Sequence, residues 1–370
     1  MRSRRYRVNP FFDPQYRTPE ADATVLRFHQ SLEGYRPTPL HSLPELAKSL
    51  NVGSVQVKDE SQRMGLNAYK VLGASWAVSR VAARDAVTTT YATATAGNHG
   101  RAVAWACRQL RKRAVIFVPA SASPYRVEAI RDLGARIVPV EGSYDEAVKE
   151  CARQSAERGW QVVSDTGYGA YADIPRMIME GYRTLFREAG WQREKAALPE
   201  PNLVLIQMGV GGLAGAAVRH YFESQRASRP SIAVVEPSEA DPHLESILSP
   251  RGSPAHSVGS GDTVMQCLNC ATVSTVSWPE IRAGARLFLS IEDEYAERAM
   301  RLLYRPSAKD PHLVAGASGA AGIGGLLALA EAPEFEPARR ALRFGPGAHV
   351  LAIVTEGDND PEHFARVVAQ

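Results

Sequence analysis

Leu203-Val204-Leu205-Ile206-Gln207-Met208-Gly209-Val210-Gly211-Gly212-Leu213-Ala214-Gly215 is the stretch on which the fold turns. Its first four residues are an apolar run of strand length, the glycines break it, and residues 214–223 read as a helix. A second apolar run, Ile232-Ala233-Val234-Val235, follows the helix, so the segment is a βαβ unit of a parallel sheet buried on both faces. Upstream the same alternation recurs. Val115-Ile116-Phe117-Val118, a helical pattern over 125–133, Ile137-Val138-Pro139-Val140, a second over 144–157 and Gln161-Val162-Val163 predict a smaller parallel sheet over residues 86–165. Downstream, 349–354 adds a late strand, and the Gly/Ala spacing of 318–330 fits a tightly packed buried helix. Residues 331–347, rich in Pro, Glu and Arg, read as a surface connection. The expectation is an α/β chain of two lobes, each a mostly parallel sheet flanked by helices. Residues 1–85 with 166–370 make the larger, discontinuous one, and 86–165 the smaller.

Composition narrows the function. The chain has 370 residues, 45% hydrophobic and 22% charged, with 43 basic against 40 acidic residues and a net charge of +3. Such a balance offers little to neutralise a phosphate backbone, so nucleic acid is not an expected partner. No apolar run approaches the roughly 18 residues of a membrane span, and a cytoplasmic location is expected. Of the four cysteines, Cys267 and Cys270 form a C-x-x-C. A structural zinc site would need two more ligands and the nearest histidine, His256, is isolated, so no metal is expected.

Four separated segments carry chemistry. The first runs from Lys58-Asp59-Glu60-Ser61 through Gly65-Leu66-Asn67-Ala68-Tyr69-Lys70 into a helical pattern over 71–83. An amine at a helix start feels the positive end of the dipole, which disfavours its protonated form and suits carbonyl chemistry. Taken alone, Lys70 is equally a solvated lysine. The second is Thr95-Ala96-Gly97-Asn98-His99-Gly100, whose glycines let backbone N–H groups approach a carboxylate or ring oxygen while Asn98 offers both donor and acceptor. An ordinary turn with His99 at the surface is the other reading. The third, Gly209-Val210-Gly211-Gly212-Leu213, can cradle a dianion on backbone amides at a helix start. It lacks the spacing of a dinucleotide fingerprint and the lysine of a Walker loop. The fourth is Val354-Thr355-Glu356-Gly357 at the end of the last strand, where ligands of open α/β sheets collect. A Thr355 hydroxyl could bond a pyridine nitrogen, or simply end the strand.

In this order the segments resemble the fold type II pyridoxal-phosphate (PLP) enzymes, and within them the diaminopropionate ammonia-lyases. The likeness extends over Gly34-Tyr35-Arg36-Pro37-Thr38-Pro39-Leu40, residues 58–73 and 97–105, Asp165-Thr166, residues 209–215, Glu236-Pro237 and Thr355-Glu356-Gly357-Asp358. It implies PLP held by Lys70 as a Schiff base, with Lys70 also moving the α-proton. It further places Asn98 at the phenolic oxygen, Gly209, Val210, Gly211, Gly212 and Leu213 at the phosphate, and Thr355 at the ring nitrogen. Thr95, Ala96, His99, Asp165 and Ala317 would meet the substrate, Asp165 at its amine or in proton transfer; a turn or helix-cap aspartate is the alternative for Asp165. The implied reaction is α,β-elimination on a small β-substituted amino acid such as 2,3-diaminopropionate, releasing a 2-oxo acid and ammonia, in a homodimer. β-Replacement by the same residues and a silent PLP-binding protein are the competing readings. Two positions depart from the family: Ala96 stands for the aspartate of its Asp-Gly-Asn-His-Gly motif, and Ala317 for the glutamate of its Gly-Glu-Ser-Gly turn. Losing two carboxylates weakens the reason to bind a diamine and favours a less cationic or bulkier substrate.

Overall fold

The computed structural model describes residues 5–95, 97–226, 229–307 and 309–370, and the apolar runs become the strands. In chain order these are β1 (Arg5–Val8), β2 (Leu40–Ser42), β3 (Ser54–Asp59), β4 (Thr90–Ala94), β5 (Arg113–Pro119), β6 (Arg136–Val140), β7 (Gln161–Val162), β8 (Leu203–Gln207), β9 (Ser231–Pro237), β10 (Ala285–Ile291) and β11 (His349–Val354). They form a seven-stranded sheet, β1-β10-β9-β8-β11-β3-β2, and a four-stranded sheet, β6-β5-β4-β7. The smaller sheet is wholly parallel. The larger is parallel at its centre, and only the edge strands β1 and β2 run antiparallel to their neighbours.

The chain divides into two compact units. One comprises the described residues among 1–21, 37–62 and 185–370, and the other residues 22–36 and those described among 63–184. In the first, β8 is buried along its whole length, as a strand covered by helices on both faces must be. Leu205 pairs with Ala352, so β8 and β11 end side by side and bring the glycine turn and Thr355 to one edge of the sheet. Residues 331–347 are not the surface connection their composition suggested. They hold a 3₁₀ turn, Pro333–Phe335, and a helix, Glu336–Leu342, which bury Phe335, Ala338 and Leu342 in the main core. Single apolar residues on a turn and one helix face are enough to dock a charged segment.

The second unit contains all four strands of the smaller sheet and reaches beyond 86–165, taking in the helices Ala23–Ser31 and Lys70–Arg84. Packing explains why the Lys70 helix sits there. A Cβ on Gly73 would meet Tyr182 Cε1 at 2.5 Å and Ile178 Cγ2 at 2.7 Å, and one on Gly181 would meet Leu72 O at 2.4 Å, so glycine at both positions permits the contact. The expected helices of the smaller sheet recur with ends moved by a few residues, Pro124–Arg131 and Tyr144–Arg158, and a further helix spans Asn98–Gln109.

His29 fastens the same helix. Its Nε2 lies 2.9 Å from Leu72 O and its Nδ1 2.8 Å from Thr184 Oγ1. A carbonyl only accepts, so Nε2 carries the proton, Thr184 donates to Nδ1, and the ring is neutral. Burial pushes its pKa down to about 3, against a smaller upward pull from the Leu72 carbonyl. The unfolded chain takes up this proton near pH 6.5 and the folded chain only near 3. Stability is therefore expected to fall as pH drops through that window, by on the order of 4 kcal/mol at its lower end. Replacing His29 with Gln, which keeps a donor and an acceptor, should flatten the stability curve measured by urea melts between those pH values; an unchanged slope would contradict this account.

Candidate active site

Two lysines of the first motif are shielded from water, and their surroundings differ. Lys58 Nζ donates to Glu188 Oε2 at 2.8 Å, Gln192 Oε1 at 3.0 Å and Thr38 O at 2.5 Å. Three acceptors occupy all its hydrogens, a structural arrangement. Lys70 is the first residue of its helix, and Tyr69 before it makes no side-chain cap. Its Nζ donates to Asp165 Oδ2 at 2.6 Å, with the two side chains 18% and 17% exposed. The Tyr69 ring lies 5.7 Å from Nζ and meets the Tyr182 ring edge-on at 4.7 Å between centroids.

The electrostatics reverse the expectation from the helix dipole. Burial alone would lower the Lys70 pKa, yet the Asp165 carboxylate, with smaller contributions from Tyr182 and Tyr69, holds it well above the ordinary lysine value. Asp165 is pushed up by burial and pulled down by Lys70 and His99, ending well below the ordinary carboxylate range. In the free chain the pair is ionic. A carboxylate at 2.6 Å outweighs the partial charge of one helix end.

His99 completes this cluster and is buried, not at the surface. Its Nε2 donates to Val163 O at 2.9 Å, which leaves Nδ1 without a hydrogen bond, 3.8 Å from Asp165 Oδ2. Burial lowers its pKa, Asp165 raises it and Lys70 lowers it, with a net downward shift that favours the neutral ring. Tyr182 was not found by sequence reasoning. Its hydroxyl is buried with no hydrogen-bond partner, and burial raises its pKa well above the ordinary phenol value. A tyrosine on an amphipathic helix reads as core, and no local signal ties it to Lys70.

Asn98 is buried and opens the helix Asn98–Gln109, where Gly97 makes no side-chain cap. Thr95 Oγ1 accepts from the Gly97 N–H at 3.0 Å and so shapes the turn. Ala96 lies outside the described residues.

In the other unit, the glycine turn leads from β8 into the helix Gly212–Tyr221. Gly211 has φ +93°, and a Cβ there would stand 2.7 Å from His243 Nε2 and 2.8 Å from Ser277 Oγ. Both the conformation and the space demand glycine. Val210 O accepts from Ser277 Oγ at 3.0 Å and Ser274 N at 3.2 Å, which fixes the peptide plane of the turn. The helix start has no side-chain cap and no acidic residue in its first turn. Its first amides have no intrahelical acceptor, the arrangement that binds anions. Thr355 is buried just beyond β11, and its Oγ1 accepts from Gln207 Nε2 at 3.1 Å. Ala317 is the buried first residue of the helix Ala317–Glu331 and brings no charge there. Cys267 and Cys270 are partly exposed, and no group of three potential ligands for a metal occurs among the described residues. No described helix is long and apolar enough to cross a membrane.

Known proteins give this arrangement a family. The model for "Pyridoxal-phosphate dependent enzyme" matches residues 32–355. The chain is 37% identical to diaminopropionate ammonia-lyase of Salmonella typhimurium, covering 93% of this chain and 91% of that one. With the Escherichia coli K12 enzyme the identity is again 37%, over 92% and 89%. The solved E. coli enzyme carrying an aminoacrylate–PLP azomethine intermediate superposes with a TM-score of 0.90 at 35% identity, over 99% and 97% of the two chains. Threonine deaminase isoform 2 of Solanum lycopersicum shares the fold at a TM-score of 0.76 and 21% identity.

The residues present fit pyridoxal phosphate. An uncapped helix start behind a glycine turn suits its phosphate, a shielded amine suits its aldehyde, and a buried hydroxyl suits its ring nitrogen. Asp165→Asn removes the carboxylate that raises the Lys70 pKa and leaves burial unopposed. The pH midpoint for borohydride-trappable loading of Lys70 with the cofactor should then move down by at least about one unit; an unmoved or higher midpoint would contradict the electrostatic assignment. Fold, site composition and the match over residues 32–355 converge on one statement: the chain belongs to the pyridoxal-phosphate dependent enzymes, with PLP as its cofactor.

Proposed function

We propose that the protein is a lyase that carries out PLP-dependent α,β-elimination on a small β-substituted amino acid of the 2,3-diaminopropionate type, yielding a 2-oxo acid and ammonia. The observation that carries the reading is the 2.6 Å contact of Lys70 Nζ with Asp165 Oδ2, a covalent anchor and an acid–base partner in one place. When bound, the cofactor supplies an electron sink for the bond to the α-proton.

The chain's own residues have separable tasks. Lys70 Nζ would hold the cofactor through its aldehyde carbon, with loss of water, and as the amine set free by the substrate would take the α-proton. Asp165 holds the ammonium form of Lys70, and the α-proton that Lys70 has taken passes by way of Asp165 to the departing β-group. His99, neutral and anchored to Val163 O, sets its Nδ1 3.8 Å from Asp165 Oδ2. Asn98 meets the phenolic oxygen, Gly209, Val210, Gly211, Gly212 and Leu213 hold the phosphate on backbone amides, and Thr355 meets the ring nitrogen. Thr95 and Ala317 shape the substrate side, and alanine at positions 96 and 317 in place of the family's carboxylates favours a substrate with less positive charge than a diamine. A cytoplasmic homodimer belongs to the same proposal and is supported by the family resemblance alone.

The test is to supply the holoenzyme with 2,3-diaminopropionate, serine, threonine and O-acetylserine and to follow 2-oxo acid and ammonia together. At least one of them should yield both, with two ammonia per 2-oxo acid from 2,3-diaminopropionate and one from the others, and Lys70→Ala should lower kcat by about three orders of magnitude. Absence of both products with every substrate would contradict the reading. A substituted amino acid formed only on adding a thiol would move it to β-replacement.

A further inference from the structure

Gln207 ends β8 and is 2% exposed. Its Nε2 lies 2.8 Å from Gly319 O, 2.9 Å from Ile353 O, 3.1 Å from Thr355 Oγ1 and 3.2 Å from Ser318 O. Three of these four are carbonyls, which only accept, so the nitrogen end of the amide must face them. The opposite atom, Oε1, is buried with no hydrogen bond. It occupies space left by Gly322, where a Cβ would stand 2.8 Å from it. A buried unpaired carbonyl costs stability that an apolar side chain of similar volume would not incur. What distinguishes glutamine here is its set of N–H groups.

One neighbour of Nε2 is unlike the others. A Thr hydroxyl has one proton to give and lone pairs to receive. Nε2 carries two hydrogens and no lone pair, so Thr355 shares at most one of them with the nearer carbonyls of Gly319 and Ile353 and cannot give its own proton to Nε2. The hydroxyl's other neighbour is Ser318 O at 3.5 Å, the outer limit of a hydrogen bond. Its proton is thus left for a better acceptor.

We propose that Gln207 is a positioning residue that fixes Thr355 as a hydrogen-bond donor and so holds the pyridine nitrogen of the bound cofactor unprotonated. The inference rests on the reading that Thr355 meets that nitrogen. An unprotonated ring is a weaker electron sink, which favours prompt loss of a β-substituent over a long-lived carbanion. Gln207 acts through Thr355 and touches no reacting atom.

The experiment is 15N NMR of the holoenzyme reconstituted with ring-15N pyridoxal phosphate. Wild type and T355S should both show the unprotonated nitrogen at neutral pH. In Q207M the N–H groups are gone and the freed carbonyls compete for the Thr355 proton. In Q207E the new side chain can accept that proton. Either variant turns the hydroxyl's lone pair toward the ring, and the 15N signal should move to the protonated position while cofactor affinity stays within about threefold, the phosphate turn being intact. A shift in T355V with none in Q207M or Q207E overturns the role of Gln207. No shift in T355V overturns the placement of Thr355 instead. A protonated ring in the wild type overturns the proposal without any variant.

Discussion

The Lys70–Asp165 ion pair is the interaction on which the chemistry depends. An amine largely removed from water would shed its proton, and a carboxylate in the same place would keep one. Held 2.6 Å apart, each stabilises the charged form of the other. Neither residue reaches this state alone. Lys70 owes its position to a helix packed at Gly73 and Gly181, and Asp165 to the end of β7, beside the buried ring of His99. Lys58 shows the contrast: its three acceptors leave no hydrogen for another partner, and it serves the fold.

The phosphate side follows another logic, with backbone in place of charge. No lysine or arginine stands in the glycine turn, and Gly211 is excluded from bearing a side chain by its φ and by His243 and Ser277. A dianion in the proposed phosphate site would be met by amides and a helix end, groups that titrate with nothing and need no counter-ion. Parallel pairing of β8 with β11 then sets Gln207 and Thr355 together beside the glycine turn.

Legibility in the sequence followed the range of the physical signal. The β8 run, its glycine turn and the helix after it lie within twenty residues, and their pattern sufficed to place them. Asn98 at a helix start and Thr355 past a strand end were equally local. Long-range partners left no such mark. The pKa of Lys70 is governed by a carboxylate 95 positions away, so an argument from the helix end gave the wrong sign. Tyr182, Gln207 and His29 read as ordinary core or polar residues until the fold brought Tyr69, Thr355 and Leu72 beside them. Composition misled over 331–347, where four buried side chains outweigh many exposed charges.

The central claim is that Lys70 carries the cofactor. Borohydride reduction of the holoenzyme followed by peptide mass mapping tests it most directly. The account requires one pyridoxyl group per chain, on Lys70. An adduct confined to Lys58 or another lysine, or no adduct while the cofactor remains bound, would contradict it.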